Sequence, residues 1–451
     1  KCQKRQFQGY SKADLVNEYI FPLISQSSNI QLNDFYILHH CLLTLNHLLN
    51  YSDMQPLDNW ANLIISILSQ EIDFSIQNST VPFKIDKDCI KFATGIIELK
   101  PTLFNPQQAA QIFVLIVNKI QNNQLSYEAV LFSLHRYIPQ FLNFDCFVCQ
   151  FDHTNFMFEF VTNILYHFFV LTPALVQQIN EDLFSFLFSR HNSQSQDDTP
   201  VNCSISILQK LFNKNYLLDE VSQFSLQRLS ESENQDFFGN VHFASIIAPF
   251  LNPTFTQAIL QIIQLKISSD TSNLLHASSL FLFTSRVAIP SIDLFSICLS
   301  NLTKSDFPPI IHYFSAVSLP KFYSVFPDNS DILPKILQSI DISMVFTKLL
   351  ELNSRFPTYQ MSVSTEESFN YFIECMVPIS VPMSESLFSL YYQLLHSDDQ
   401  HAKDISSSLI QLCELMQNQT SQKVEFFNHF WQMNIQLLSE INPEYLDQVL
   451  G

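Results

Sequence analysis

The sequence contains very little glycine, and this scarcity excludes several kinds of fold and site. Four glycines occur among 451 residues: Gly9, Gly95, Gly239 and Gly451. Glycine supplies the positive φ angles on which tight hairpins and phosphate-binding loops depend. We therefore do not expect a sheet with many hairpins. Glycine-rich nucleotide loops and the glycine-flanked serine of hydrolases are excluded, because no two glycines lie a few residues apart.

Charged residues are also few, and acidic ones outnumber basic ones. The chain has 23 lysines and arginines against 42 aspartates and glutamates, a formal charge of −19, and only 14% of its residues are charged. Affinity for nucleic acid comes largely from cationic side chains, so we expect no direct nucleic-acid binding. The charge would attract a basic protein or peptide, or it serves only to keep the protein in solution.

Long apolar runs and paired cysteines are missing as well. No apolar run reaches the ~18–20 residues that span a bilayer, and no signal peptide is visible, so we expect no membrane insertion. The nine cysteines are odd in number and follow no pairing pattern, which favours reduced thiols in the cytoplasm or nucleus. The chain begins at Lys1 rather than methionine, and we expect it to be a piece of a longer protein.

Apolar residues make up 47% of the chain, and they recur at helical spacing. Phe35, Leu38, Leu42, Leu45 and Leu49, for example, lie three and four residues apart, on one face of a helix. Asn, Ser, Asp or Thr followed by proline marks many of the predicted helix starts. We place these starts near 11, 33, 56, 88, 106, 126, 153, 173, 202, 216, 237, 253, 271, 290, 307, 329, 341, 366, 382, 402 and 423.

The spacing of these starts predicts a repeat architecture. It corresponds to about 41 residues per helix pair, within the ~40–47 of HEAT and armadillo repeats. We therefore predict an all-α fold, a right-handed α-solenoid of about ten HEAT/armadillo-like helix pairs that runs continuously over residues 1–451. A polar loop interrupts it near 189–202. An irregular helical globule or bundle is the alternative.

The segment 143–156, NFDCFVCQFDHTNF, resembles a metal or redox motif, because Cys146 and Cys149 lie three apart and His153 follows four later. Zinc requires a fourth ligand, and no second Cys-x-x-Cys is present. On a helix over 140–160 these three residues continue one stripe of core positions, with Leu142 before them and Phe156 and Phe160 after them. We therefore predict that both cysteines are buried, that the acidic neighbours at 145 and 152 raise their thiol pKa values, and that no metal or cofactor binds.

Other candidate sites are weaker still. His39 and His40 lack a carboxylate at the spacing of zinc proteases, and adjacent residues on a helix point to different faces. We read the pair as the polar edge of an apolar helix. Since no local pattern indicates catalysis, we expect no enzymatic activity.

Several segments resemble importin-β-like nuclear transport receptors (karyopherins), in particular the large importins and the exportin that recycles importin-α. LNYSDMQPLDNWANLIISILSQEID at 49–73 is similar to a HEAT repeat in which a tryptophan opens a helix. KDCIKFATGIIEL and AAQIFVLIVNKI look like the two helices that follow it. VHFASIIAPFLNPTF at 241–255, LLHASSLFLFTSR at 274–286 and ILPKILQSIDISMVFTKLLEL at 332–352 resemble later repeat helices, although His242 replaces the usual arginine.

The resemblance implies a HEAT solenoid that carries protein cargo, including basic proteins, between cytoplasm and nucleus. It also implies binding of phenylalanine-glycine nucleoporins and of the GTPase Ran. The repeats that bind Ran would precede Lys1. We propose the acidic pairs Glu366, Glu367, Asp398 and Asp399 as cargo contacts, or simply as solvated loop charges. The alternative function is a static α-solenoid scaffold of a coat, phosphatase or cytoskeletal assembly.

Overall fold

Helices form the secondary structure of the part of the chain that the structure describes. This computed structural model describes residues 32–49, 60–69, 82–99, 101–172, 199–231, 234–269, 274–287, 292–304 and 309–323, together with a few isolated positions. No strand occurs in these ranges, so the predicted all-α class is confirmed for them. Contacts divide the chain into two units, and each is described separately.

The first unit comprises residues 1–172, 192–232 and 250–252. Three of its helices are composite. Helix α5 begins with Tyr127–Phe132, continues through the π-helical stretch Ser133–Tyr137 and ends with Ile138–Phe141. Helix α6 is Asp145–Val148 followed by the 3-10 turn Cys149–Phe151. Helix α7 begins with Phe156–Glu159, continues through π-helical Phe160–Leu165 and ends in the 3-10 turn Tyr166–Phe168. The remaining helices described in this unit are α1 (Leu32–Leu49), α2 (Trp60–Leu68), α3 (Pro82–Leu99), α4 (Pro106–Gln121), α8 (Pro200–Asn213) and α9 (Leu218–Glu231).

Side-chain caps fix where several of these helices begin. Asn105 accepts a hydrogen bond from the Gln107 backbone N–H at 3.0 Å, and proline occupies the first position of α4. Thr199, at the end of the predicted polar loop, caps α8 in the same way, accepting from Asn202 N–H at 3.2 Å. Such caps satisfy backbone donors that have no partner within the helix. Ser126 likewise caps α5.

Asparagine takes the place of glycine where helices end. Asn123 and Asn215 follow α4 and α8 with φ of 55° and 53°, in the left-handed region. After α8, the N–H of Tyr216 bonds to the Leu211 carbonyl at 3.1 Å and the N–H of Asn215 bonds to the Phe212 carbonyl at 2.9 Å. This is the Schellman pattern, in which asparagine is tolerated because its side chain is short and polar. A chain with four glycines can thus still end its helices sharply.

Alternate helices of the first unit lie side by side and run in the same direction. His39 of α1 contacts Asp88 of α3, and ten residues later Leu49 meets Gly95, where a Cβ atom would lie 2.9 Å from Leu49 Cδ1. The same pairing joins α3 to α5 and α5 to α8 in one layer. In the other layer α2 packs beside α4, α4 beside α7, and α7 beside α9.

Ion pairs follow the α3–α5 contact along its length. Lys87 pairs with Glu128 near the start of both helices, and Glu98 pairs with Arg136 at 3.6 Å further along. Because both contacts advance in the same sense, α3 and α5 are parallel, as expected for equivalent helices of successive repeats.

The core of the first unit is centred on α4, whose sequence is apolar on all sides over residues 112–117. Ile112, Phe113, Ile116 and Val117 are buried, while the side chains at 114 and 115 are half-buried. The Phe113 ring stacks on Phe141 with centroids 4.4 Å apart. Its edges also meet neighbouring rings, those of Phe151, Phe156 and Phe160.

The second unit comprises residues 173–191, 233–249 and 253–451. Its described helices are α10 (Asn234–Ile247), α11 (Pro253–Ser269), α12 (Leu274–Arg286), α13 (Ile292–Thr303) and α14 (Pro309–Tyr323). Here too α10 packs beside α12 and α12 beside α14. Thr284 Oγ1 lies 3.3 Å from Ser318 Oγ across the second of these contacts.

Small hydroxyl side chains fill much of this second packing seam. Ser315 and Ser318 donate to the carbonyls of Ile311 and Phe314, each at 2.7 Å within its own helix. A hydroxyl satisfied in this way can be buried without a partner on another helix. The buried hydroxyl residues of the unit include Ser245, Ser278, Ser279, Thr284, Ser315 and Ser318.

Most predicted helix starts that fall on described residues agree with the structure to within a few positions. The starts near 33, 106, 126, 202, 216, 253 and 307 differ by two residues or fewer from the observed ones. The start near 88 is wrong by six residues, and α6 was not predicted. The starts near 11, 173, 329, 341, 366, 382, 402 and 423 lie outside the described residues.

Candidate functional site: a groove beside the two-cysteine helix

The prediction that Cys146, Cys149 and His153 are buried is wrong, because all three side chains are exposed. The predicted continuous helix over 140–160 is also wrong. The chain leaves helical structure at 142–144 and again at 152–155, so the spacing of threes and fours does not follow a single helix face.

Aromatic residues determine which side of α6 is buried. Phe147 and Phe151 face the core, and the ring of Phe147 lies 5.5 Å from Phe141. Burying these rings turns the two cysteines toward solvent, since they occupy the opposite side of the short helix. Larger apolar area therefore takes precedence over the small cysteine side chains.

A groove opens next to these cysteines. Its volume is about 720 Å³, and its walls come from the turn after α6, the start of α7 and the loop between α8 and α9. Pockets for small ligands or peptide side chains commonly enclose about 300–1,000 Å³. The lining residues are Phe151, Asp152, His153, Thr154, Asn155, Phe158, Tyr216, Leu217 and Glu220.

Asp152 is the centre of the polar contacts in this groove. The Cys149 thiol and the Tyr216 hydroxyl both lie close enough to its carboxylate for their pKa values to be raised by it. The hydrogen bond to Asp152 and the nearby negative charge raise the pKa of the Cys149 thiol, as the sequence predicted. Burial, followed by the charge of Asp152, raises the pKa of Tyr216. At neutral pH both groups therefore keep their protons.

Lys214 connects the end of α8, next to the loop that forms the other wall of the groove, to α6. Its Nζ donates to the Leu142 carbonyl at 2.9 Å and to the Asp145 carboxylate at 2.6 Å. Beyond it, Leu217 has a φ of 59°, which is unusual for a residue with a large side chain. Such a conformation costs about 1–2 kcal/mol and persists because the surrounding contacts hold it.

Chemically, the groove suits a cationic group. Its lining includes the carboxylates of Asp152 and Glu220 and the aromatic residues Phe158 and Tyr216, and aromatic rings attract cations. Sequence reasoning missed this site because its two walls lie some 60 residues apart in the chain.

A second polar cluster is buried between helices α1, α3, α4 and α5. Lys119 Nζ donates to both carboxylate oxygens of Asp86, at 3.0 and 3.2 Å, with both side chains almost fully buried. Burial outweighs the attraction of Lys119 and raises the pKa of Asp86. Next to it, burial and the charge of Asp86 raise the pKa of Cys89 well above its ordinary value.

The same cluster corrects the reading of His39, which was predicted only to mark a polar edge. Its Nδ1 lies 2.5 Å from Asp88 Oδ2, so a carboxylate partner comes from a helix 49 residues away. Tyr137 is fully buried nearby, and its hydroxyl has no hydrogen-bond partner. These contacts join helices rather than open to solvent, so the cluster has the geometry of a packing element.

Cargo contacts, metal binding and membrane insertion are the remaining points. Glu366, Glu367, Asp398 and Asp399 lie outside the described residues. Within the described ranges, no group of three or more His, Cys, Asp and Glu side chains is arranged to hold a metal ion. Among the helices described, none is both long and apolar enough to cross a bilayer.

Comparisons with known proteins do not assign a family. No protein-family model matches the chain, and no curated protein matches it. Among solved structures, the crystal structure of an engineered protein aligns with 88% of this chain and 99% of its own, at 10% sequence identity and a TM-score of 0.34. A likeness at that level carries no argument about fold or function.

Proposed function

We propose that the chain is an α-solenoid of HEAT-like repeats that binds other proteins, and that it acts as a nuclear transport receptor of the importin-β type. In this proposal the solenoid is right-handed, has about ten helix pairs and moves between cytoplasm and nucleus. Protein cargo, including basic cargo, is its main partner, together with Ran and phenylalanine-glycine nucleoporins.

The observation that supports the repeat part of the proposal is the same-direction packing of alternate helices. Contacts between helices that pack side by side have separations of 49 residues between α1 and α3, 46 between α2 and α4, 41 between α3 and α5, and 44 between α10 and α12. The separation is 34 between α12 and α14, and it is 71 between α5 and α8, where α6 and α7 intervene. The values of 41, 44 and 46 lie within the ~40–47 residues of HEAT and armadillo repeats, and 49 lies just above them. Each helix thus buries its faces against its neighbours, as repeat units do.

The groove beside α6 and the charge of −19 support a basic partner. Exposed carboxylates steer an oppositely charged protein toward its site and speed association. The aromatic rings beside them would then hold a lysine or arginine side chain.

Capture from cell extract tests the transport role. The full natural chain is immobilised through a tag and exposed to extract with an excess of Ran loaded with GTP or, as a control, with GDP. We expect Ran-GTP, but not Ran-GDP, to change the set of captured proteins. A set that is the same in both arms would contradict transport and would favour a static scaffold.

Charge substitutions test the groove separately. We expect Asp152→Asn with Glu220→Gln to slow association of a captured basic partner several-fold at low salt, because both carboxylates line the groove. Asp219→Asn with Glu231→Gln is the matched control, since it removes the same charge from two exposed residues of α9 that do not line the groove. If both double variants slow association equally, the overall charge is the cause, and the proposal that the groove binds the partner is contradicted.

A further inference from the structure

Cys146 and Cys149 are two exposed thiols within one turn of helix, a geometry in which they can bond to each other. Three residues of α-helix advance about 4.5 Å along the axis, which places their Cα atoms about 5 Å apart. Disulfides join Cα atoms separated by about 4.4–6.8 Å, so this spacing fits. The Cβ atoms, about 5–6 Å apart at helical spacing, must approach to about 3.5–4.5 Å as the bond forms. The four other described cysteines, Cys41, Cys89, Cys203 and Cys298, are buried.

We propose that Cys146 and Cys149 bond to each other in a reversible disulfide. The oxidant is glutathione disulfide or a similar small disulfide. The inference does not depend on the transport proposal. It rests on the exposure of both thiols, which the sequence pattern had placed in the core.

The chemistry proceeds in two exchanges. The Cys146 thiolate attacks one sulfur of glutathione disulfide, forms a mixed disulfide and releases one glutathione thiolate. The Cys149 thiol loses its proton to solvent, and its thiolate attacks the Cys146 sulfur and releases the second glutathione. Two protein thiols are oxidised, and one glutathione disulfide is reduced to two glutathione molecules.

Asp152 controls how readily this happens. Its hydrogen bond and charge keep the Cys149 thiol protonated at neutral pH, so the second exchange is slow. The pair therefore suits a slow response to sustained oxidation rather than rapid disulfide catalysis.

The disulfide would form at the edge of the groove. The thiol of Cys149 lies near Asp152 and Tyr216, and both of these residues line the groove.

Mass spectrometry tests the bond directly. The folded full chain is incubated with glutathione disulfide at pH 8, blocked with N-ethylmaleimide and digested. We expect the peptide that contains both cysteines to be lighter by two hydrogen atoms and unlabelled, and dithiothreitol to restore labelling. Buried Cys89 and Cys298 should stay reduced, which shows that the protein remained folded.

Single substitutions sharpen the result. In Cys146→Ser and Cys149→Ser we expect the remaining thiol to stop at the glutathione adduct. Asp152→Asn should speed disulfide formation at pH 7 about threefold for each unit by which the thiol pKa falls, with Asp219→Asn unchanged. Glutathione adducts on both cysteines of the unaltered chain, persistent free thiols, or a disulfide that forms only in urea would overturn the proposal.

Discussion

Both units bury hydroxyl side chains that bond within their own helix, but the first unit also buries an ion pair that joins two helices. In the first, Asp86 and Lys119 come from α3 and α4 and depend on each other, because either charge alone would be buried without a counter-charge. In the second, Ser315 and Ser318 each donate to a carbonyl of their own helix. A polar group satisfied within its own helix therefore leaves the packing partner free to vary, whereas a shared ion pair fixes it.

The largest expected effect comes from breaking the buried ion pair. Lys119→Met should cost about 3–5 kcal/mol, because it leaves the Asp86 carboxylate buried and unpaired. The double variant Asp86→Leu with Lys119→Met should recover most of that loss, since no charge remains. Urea unfolding and hydrogen exchange of α3 and α4 peptides would measure both. A double variant as unstable as the single one would mean that the pair contributes mainly through its shape.

Replacing Arg286, which contacts His242, tests how strongly the stability of the second unit depends on a polar contact between two helices. Arg286 lies 3.3 Å from His242 Nε2, and burial lowers the pKa of its guanidinium to about 10. Arg286→Met should cost about 1–3 kcal/mol, because buried His242 loses this donor. Exposed Arg228, which lies over the Phe224 ring, provides the control, and its replacement by methionine should cost less than about 1 kcal/mol. A cost equal to that of Lys119→Met would end the contrast between the units.

The pH dependence of the stability of the first unit should reflect the titration of Asp86. Because its pKa is raised in the folded chain, this carboxyl holds its proton more tightly there than in the unfolded chain, where an aspartate pKa is about 3.9. Its contribution is fully present below that unfolded value and is lost as pH rises through the folded pKa. The unaltered chain should therefore gain stability relative to Asp86→Asn between pH 7 and pH 4. An opposite trend in the urea midpoints would show that Lys119, not burial, controls the carboxyl.

The smallest expected effect comes from the hydroxyl seam. Ser318→Ala should change stability by less than about 1 kcal/mol, because alanine favours the helix and the lost bond lay mostly within α14. Hydrogen exchange of α12 and α14 would detect any local opening. A loss above about 2 kcal/mol would instead assign an essential role to the contact with Thr284.

Local signals predicted much of the fold. Asn105 followed by Pro106 and Thr199 followed by Pro200 placed two helix starts within two residues, because a cap acts over a few positions. No proline or glycine marks the break at residues 142–144, before α6. The two cysteines were therefore predicted to lie on a helix face that does not exist.

Contacts between distant segments could not be predicted. The partners Asp86 and Lys119 are 33 residues apart, and His39 meets Asp88 across 49. Periodicity describes one helix at a time, whereas these pairs depend on which helices become neighbours. The groove arises in the same way, since Asp152 and Tyr216 come together only when the turn after α6 meets the loop after α8.

The π-helical stretches of α5 and α7 have a consequence for how such a chain changes over generations. A π turn contains one residue more than the α turn it replaces. Removal of one codon within Ser133–Tyr137 or Phe160–Leu165 would convert the stretch to regular helix and leave the rest of the helix in place. The gene can therefore lose a codon at either of these two points while the layers of the protein are preserved.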